Sequence, residues 1–234
     1  HMLPDVIFGC LHQAMPDRVP AEGTSNLWNL KLGAGHGITE RTEQETTAFM
    51  LMAFHSGGAG ARPRQDGLSA TPYPSGVRNV PVEISEAITP IVVWSKELRL
   101  DSGGIGAQRG GLGQTMEITS REDAPFGIFA SFERVLFPPR GRDGGGPGAT
   151  GRISLGSGEE LRNKGFQTIP AQGRLIVEMP GGGGFGDPMA REPEAVADDV
   201  RLGLVSAEAA ARDYGVVIGE GGQIDREATA KRRG

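Results

Sequence analysis

The chain contains 234 residues, carries a formal net charge of −5 and is 37% hydrophobic, enough for one large or two small domains with a real core. The dispersed negative charge gives no reason to expect a nucleic-acid partner, and no apolar run approaches the roughly 20 residues that span a bilayer. The single cysteine, Cys10, excludes an internal disulfide and suits a reducing, cytoplasmic compartment.

Glycine supplies 38 of the 234 residues, about twice its usual share. The glycines are not spaced every third residue, as in collagen, and they alternate with apolar runs, which argues against wholesale disorder. Glycine allows the main chain to adopt positive φ or to approach other main chain closely. We therefore expect strands joined by loops of tightly specified path. The densest glycine segments are residues 57–67, 103–113, 141–151 and 181–186.

The first third of the chain predicts a helix over residues 5–15, with Pro4 suited to its first turn. A short strand is predicted near residues 27–32. Residues 43–55 favour a buried strand because of their β-branched start and their length, although a helix remains an alternative. Residues 80–87 form either the entry to a strand or a short helix.

The middle third predicts an antiparallel β-domain of short strands. At the C-terminus, residues 193–202 predict one helix, and a second begins after the N-cap residue Ser206 and ends at Gly215. The charged tail, residues 225–234, is predicted to fray. The predicted strands of the middle third are 91–100, 114–119, 126–132, 152–155, 166–169 and 174–179.

These elements predict an α+β, β-rich fold of mostly antiparallel short strands, joined by glycine-rich loops and followed by a C-terminal helical pair. The predicted division is an N-terminal α/β segment at 1–90, an antiparallel β-domain at 91–188 and a C-terminal helical segment with its tail at 189–234.

The first glycine segment combines glycines with arginines after a predicted buried strand. Consecutive main-chain N–H groups in such a loop form an anion nest, and arginines add a clamp for carboxylate or phosphate. The alternative is a purely structural loop, in which the arginines pair with Asp66 or Glu83. The segment lacks the features of a P-loop and of a Rossmann fingerprint. The candidates for contact with a substrate or partner are His55, just before this segment, and Gly57, Gly58, Arg62, Arg64 and Asp66 within it.

Other residues that carry chemistry are few. Asp101 and Arg109 are expected to pair and close the second glycine segment, unless Arg109 faces a partner subunit. His55, at the end of a predicted strand, is either a functional imidazole or a structural one. No histidine spacing indicates a local metal site, and no nucleophile-elbow sequence surrounds Ser56 or Ser102.

Several strings together resemble the C-terminal portion of the hydantoinase B/oxoprolinase family. This family includes the B subunit of N-methylhydantoinase, the second half of oxoprolinase and the large subunits of acetone and acetophenone carboxylases. The strings are AMPDRVPAEG at 14–23, GGAGARPRQDG at 57–67, RNVPVE at 78–83, ELRLDSGGIGAQRGGLG at 97–113, GGGPGATGR at 144–152, PGGGGFGDP at 180–188 and DVRLGLVSAEAAARDYGVV at 199–217.

The resemblance implies that a longer protein performs the chemistry. Family members are more than twice this length, carry their metal ligands in an N-terminal half and bind ATP in a hydantoinase A-type subunit. We therefore expect no cofactor on this chain, ATP and a divalent metal in the full complex, and an oligomer with an A-type subunit and a missing N-terminal B-type half. The chain is then a split subunit, a truncated form or a proteolytic fragment.

The function implied is that of a part, inactive alone, of an ATP-dependent cyclic-amide hydrolase, with Arg62, Arg64 and Asp66 nearest the substrate or partner. The alternatives are part of an ATP-dependent ketone carboxylase and a non-catalytic β-rich oligomer scaffold. A chain of this kind exposes apolar surface where its missing half packs. The apolar run at 49–54 is a candidate for that surface, unless it belongs to the internal core.

Overall fold

A computed structural model describes residues 2–35, 47–71, 73, 76–77 and 80–234. Within these ranges the chain forms five α-helices and eight β-strands, which confirms the predicted α+β, β-rich class. None of the helices in these ranges has the length and apolar content needed to cross a bilayer. The elements are α1 (Leu3–His12), β1 (Leu30–Ala34), β2 (Phe49–Ala53), α2 (Val82–Ile88), β3 (Ile91–Leu98), β4 (Gln114–Ser120), β5 (Phe126–Ser131), β6 (Arg152–Leu155), β7 (Lys164–Ile169), β8 (Leu175–Glu178), α3 (Pro193–Arg201), α4 (Ala207–Asp213) and α5 (Arg226–Arg233).

The described strands form two four-stranded antiparallel sheets, with strand orders β2-β1-β5-β7 and β3-β4-β8-β6. Strands from residues 1–90 and from residues 91–188 share the first sheet, because β1 pairs with β5, placing Leu32 opposite Ile128. Apolar residues of both sheets belong to one buried core, in which the rings of Trp28 and Phe132 stack with centroids 4.3 Å apart. Alternating burial along the strands therefore builds one shared interior.

Three local predictions, for β2, for residues 80–87 and for the C-terminal tail, differ in how they compare with the structure. β2 alternates rather than being wholly buried, with Met50 and Met52 exposed; residues 43–46 of the predicted strand, and 78–79 of the family string, lie outside the described residues. Residues 82–88 resolve to a short helix. The predicted frayed tail is wrong: Asp225 caps α5, and Arg233 donates to the carbonyl of Tyr214.

The glycine-rich segments lie side by side without forming a regular sheet. We call residues 57–61, 102–113, 139–149 and 180–186 the glycine bundle. Gly182 donates its N–H to Gly111 at 2.8 Å and accepts from Gly104 at 2.8 Å. A Cβ atom on Gly182 would lie 2.0 Å from the carbonyl oxygen of Ala59, and one on Gly58 would lie 1.8 Å from that of Gly111. Neither glycine has positive φ, so close approach of main chain is what requires glycine here.

Replacing Gly182 with alanine should destabilise the protein by about 3 kcal/mol, because the new methyl group would overlap the main chain of Ala59 and Gly60, which is held by its own hydrogen bonds. The matched control is Gly9→Ala in α1, where an added Cβ meets no atom within 4 Å. That change should be neutral or raise stability by about 0.5 kcal/mol. Urea denaturation measures both variants, and equal stabilities would refute close packing of the bundle.

A buried ionic network attaches the C-terminal helices to the bundle. Arg191 forms two hydrogen bonds of 2.8 Å to the carboxylate of Asp66 and one of 2.7 Å to Asp199 on α3. Arg109 lies 3.4 Å from the same Asp199 carboxylate, and its main-chain N–H donates to Asp66 at 2.6 Å. Burial raises the pKa of Asp66, but the hydrogen bonds and charge of Arg191 outweigh it and bring that pKa below its usual range. The guanidinium of Arg191 thus bridges two carboxylates, and that of Arg109 lies beside Asp199 alone.

The predicted pairing of Asp101 with Arg109 is replaced by two separate links to the C-terminal helices. Asp101 accepts from the main-chain N–H of Ser206, the N-cap of α4, at 2.7 Å. Arg109 is buried against Asp199. Both charged residues therefore join the second glycine segment to helices about 100 residues further along the chain, which local sequence spacing does not reveal.

Removing Arg191 should leave the carboxylate of Asp66 without a guanidinium partner and the buried carboxylate of Asp199 with Arg109 as its one remaining guanidinium partner among the described residues. We expect Arg191→Met to lose about 3–5 kcal/mol of unfolding free energy. The control is Arg201→Met, which breaks an exposed ion pair with Asp198 and should cost less than about 0.5 kcal/mol. Chemical denaturation separates the two, and a small loss at Arg191 would refute a stabilising network.

His55 lies in the shared core, just after β2, where only 4% of it is exposed. It lines a small, partly open cavity of about 20 Å³ with residues of both sheets and of α2, and its buried Nδ1 has no hydrogen-bond partner among the described residues. Burial, with a smaller contribution from the charge of Lys96, lowers the pKa of His55 from 6.5 to about 4. These features describe a neutral core histidine.

Burial disfavours protonated His55 in the folded protein, so the contribution of this group to the free energy of unfolding should be fully present above pH 6.5. That contribution, about 3 kcal/mol, should be lost as the pH falls toward 4. Denaturation of the His55→Leu variant across this window should show a correspondingly shallower pH dependence. His12→Leu, at a less buried position, controls for loss of an imidazole. An unchanged slope in His55→Leu would contradict a depressed pKa.

Candidate functional site

A cleft of about 390 Å³ opens between α1, residues 18–25 and the first glycine segment. Its apolar wall includes Phe8 and Tyr73, whose rings stack with centroids 6.3 Å apart, together with Leu68. Its polar lining includes Asp5 and Ser25. A largely apolar concave surface with a few polar groups is the usual form of a small-molecule site.

Main-chain contacts fix the two walls of the cleft against each other. Ala21 donates its N–H to Ala61 at 2.8 Å, and Thr24 donates to Gly58 at 3.0 Å. A Cβ atom on Gly60 would lie 1.9 Å from the carbonyl oxygen of Ala21. The cleft therefore owes its shape to glycines of the bundle rather than to side-chain packing.

A polar network, buried except for the exposed side chain of Arg140, lies beneath the cleft. The hydroxyl of Ser25 and the guanidinium of Arg134 both bond to Oδ2 of Asp5. Arg134 also donates to Glu22 at 3.0 Å, and Arg140 donates to the other oxygen of Glu22 at 2.7 Å. Asp5 and Arg134, 129 positions apart, are therefore in contact, and Arg134 fixes the Asp5 carboxylate that lines the cleft.

The main chain is strained at two members of this network. Ser25 has φ +62° and Arg134 has φ +60°, the left-handed region that costs a non-glycine residue on the order of 1 kcal/mol. Both side chains are nevertheless buried and bonded. Such strain persists where surrounding contacts determine the conformation, and it is frequent at functional sites.

The two carboxylates of the network have opposite tendencies. Burial raises the pKa of Asp5, and its bonds to Ser25 and Arg134 only partly offset that effect. Burial also acts on Glu22, but the hydrogen bonds from Arg140 outweigh it, so the pKa of Glu22 falls below its usual range. Glu22 therefore remains a fixed anion, while Asp5, which lines the cleft, is the group suited to exchanging a proton or accepting from a ligand.

The first glycine segment divides between the cleft and the ionic network. Arg62 lines the cleft and donates to the main-chain carbonyl of Asp66 at 2.8 Å. Arg64 is exposed beside it. The carboxylate of Asp66 turns instead to Arg191. Of the predicted clamp, Arg62 therefore lines the cleft, whereas Arg64 and the carboxylate of Asp66 do not.

Gly57 and Gly58 lie in the bundle rather than on a ligand surface. The N–H of Gly58 donates to Pro180 at 2.9 Å, and those of Ala59 and Ala61 donate to other main-chain carbonyls. These groups are therefore not free to form the predicted anion nest. His55 lines the separate core cavity and is absent from the cleft wall.

Local sequence pattern does not predict the polar network, whose members are Asp5, Glu22, Ser25, Arg134 and Arg140. Glu22 is the one residue that could have indicated this network, because it is a charged residue between Ala21 and Gly23 in one of the strings that resemble the family. The arginines that neutralise it lie more than 110 residues away, and nothing local announces them.

The divalent metal implied by the family resemblance finds no fitting ligand set in the part of the chain that the structure describes. No three His, Cys, Asp or Glu side chains come together there as metal ligands.

The chain is similar to proteins of one family along most of its length. The family model for hydantoinase B/oxoprolinase matches residues 1–188. The caprolactamase subunit beta of Pseudomonas jessenii is 34% identical over 99% of this chain and 41% of its own length.

Solved structures agree with the sequence comparison. The crystal structure of ATP-dependent caprolactamase from Pseudomonas jessenii superposes with a TM-score of 0.77 at 28% identity, covering 95% of this chain and 40% of that one. A nucleotide-free acetone carboxylase structure gives 0.68 at 27% identity, over 97% of this chain and 34% of that one. The chain thus spans about 40% of the curated relative it matches, and it belongs to the hydantoinase B/oxoprolinase family.

Proposed function

We propose that this chain is part of an ATP-dependent hydrolase that opens cyclic amides. It acts with a hydantoinase A-type subunit and with the larger portion of a B-type subunit that its relatives carry and that it does not match. On its own the chain is expected to be inactive. The similarity to a caprolactamase subunit supports this assignment at the level of reaction class.

The cleft is the observation that carries the proposal. A cyclic amide presents an N–H and a carbonyl side by side on an apolar ring. Oδ2 of Asp5 is occupied by Ser25 and Arg134, which leaves Oδ1 to accept from the ring N–H. The guanidinium of Arg62 lines the same cleft and is a donor for the carbonyl. The ring itself would pack on Phe8 and Tyr73.

In the complex, ATP held by the A-type subunit supplies activation of the amide oxygen. This chain contributes the cleft that binds and orients the ring and excludes water from its apolar face. Orientation of this kind lowers the barrier by removing translational and rotational freedom beforehand. The single cysteine, free and exposed, fits the reducing cytoplasm in which we place the complex.

Exposed apolar side chains support a partnership with the rest of a B-type subunit. Met50 and Met52 on the edge strand β2 are 76% and 49% exposed. α1 buries none of its residues and exposes Leu3, Val6 and Ile7, which lie on one helical face. Apolar surface of this kind favours association, and the relatives carry about 60% of their length outside the matched region.

The test uses the complex reconstituted from this chain, the remaining B-type portion and the A-type subunit. Leu68→Trp narrows the cleft from an exposed position without touching the polar network. Ring opening of a panel of lactams and hydantoins should lose about tenfold in kcat/KM, which corresponds to about 1.4 kcal/mol.

The matched control is Leu202→Trp, an equally large change at an exposed leucine that does not line the cleft. It should leave ring opening unchanged. Native mass spectrometry checks that both variants assemble equally. If Leu68→Trp assembles and turns over every cyclic amide like the unmodified protein, the cleft is not the amide site.

A ketone carboxylase is the second candidate, favoured by the similarity to acetone carboxylase. A carboxylase requires bicarbonate for ATP turnover in the complex, whereas a cyclic-amide hydrolase does not, and comparing turnover with and without bicarbonate distinguishes them. A third candidate is a non-catalytic oligomer scaffold. In that case, cleft variants should change neither cyclic-amide hydrolysis nor ketone carboxylation by the complex.

A further inference from the structure

A second, open groove of about 420 Å³ adjoins the cleft. It lies between the short 3₁₀ helix Pro16–Arg18 and the turn at residues 62–65. Arg18 and Arg62 line both the cleft and the groove, whereas Arg64 lines the groove but not the cleft. The groove therefore begins where the amide cleft ends.

The positive charge of this groove is only partly offset by acidic side chains. Arg18, Arg62 and Arg64 contribute three positive charges, and Asp17 is the one acidic residue among the lining side chains. Within the described residues, none of the three guanidinium groups forms an ion pair; Arg62 donates only to the uncharged carbonyl of Asp66. The net of two positive charges stands out in a chain whose overall charge is −5.

Main-chain hydrogen bonds fix the turn that carries Arg62 and Arg64. The main chains of Arg62 and Gln65 exchange hydrogen bonds of 2.9 and 3.3 Å. The carboxylate of Asp66, the next residue, is fixed by Arg191. Clustering like charges on such a rigid turn is unfavourable in the absence of an anion.

We propose that Arg18, Arg62 and Arg64 form a binding site for a phosphate group at the mouth of the cleft. Two net positive charges match a phosphate dianion, and planar guanidinium groups donate pairs of hydrogen bonds to phosphate oxygens. A monoanionic carboxylate would leave part of the charge unbalanced. Anion binding itself does not depend on the proposed function; only its use in handling a phosphoryl group rests on that function.

The phosphate group has two possible sources, a free phosphate ion and a nucleotide. Isothermal titration calorimetry of the whole chain with inorganic phosphate, and separately with ATP, distinguishes them at low ionic strength. We expect inorganic phosphate to bind with a dissociation constant of about 1 mM or tighter. ATP binding at least as tightly by the same arginines would identify nucleotide phosphates as the ligand.

Arg64→Gln is the decisive variant because its side chain is exposed and unbonded within the described residues. It should weaken phosphate binding about tenfold or more, as expected from one charge-assisted hydrogen bond. Arg64→Lys should restore part of the loss, since it keeps the charge but not the planar fork. The control, Arg226→Gln, removes an arginine that is exposed on α5 and should leave binding unchanged.

Absence of phosphate and ATP binding, or equal weakening by Arg64→Gln and Arg226→Gln, would overturn the site. Because these titrations involve no turnover, that result leaves the amide cleft untouched. Conversely, an inactive cleft does not prevent phosphate from binding in the groove.

Discussion

Main-chain contacts within the glycine bundle determine where the rest of the described structure can lie. Gly58 and Gly182 sit where any side chain would enter neighbouring main chain, and hydrogen bonds of about 2.8 Å replace side-chain packing there. The bundle connects features that the sequence separates widely. It holds residues 21–24 against residues 58–61 to form the cleft, and it ends just before Arg191, which anchors the C-terminal helices. A buried main chain must satisfy its polar groups, and the bundle does so between its own segments.

The first glycine segment and the turn after it link the two charged regions of the protein. Asp66 presents its carboxylate to Arg191 on one side and its carbonyl to Arg62 on the other. The C-terminal helices therefore help to fix an arginine that lines both the cleft and the groove. Buried ionic networks are costly to desolvate, and here the network lies where the positions of Asp66 and Arg62 matter for the binding proposed above. The same residues stabilise the fold and set the geometry of the cleft. A substitution in the C-terminal helices can therefore shift Arg62 even though the substituted residue does not line the cleft.

Much of the fold could be predicted from local pattern, and most of the site could not. The strand at 114–120 and the helix capped by Ser206 follow from alternation and capping, which are properties of neighbouring residues. The glycine density predicted constrained loops, but composition does not say which main chain lies beside Gly58. The partner of Arg109 is Asp199 rather than Asp101, since that contact depends on tertiary structure. The cleft carboxylate Asp5 requires Arg134, 129 residues away, and the tail became a helix because Tyr214 and Arg191 accept from Arg233.

The glycine bundle also bears on how the stability of the protein varies with temperature. The heat capacity of unfolding rises with the apolar surface that becomes exposed and falls with the polar surface. Unfolding the bundle exposes mainly peptide groups, because its glycines carry no side chains, whereas unfolding the shared core exposes aliphatic and aromatic groups. The heat capacity change per residue should therefore lie below that of a protein of equal length with a conventional interior. A smaller value flattens the curve of free energy against temperature, so this architecture retains its stability over a wider thermal range.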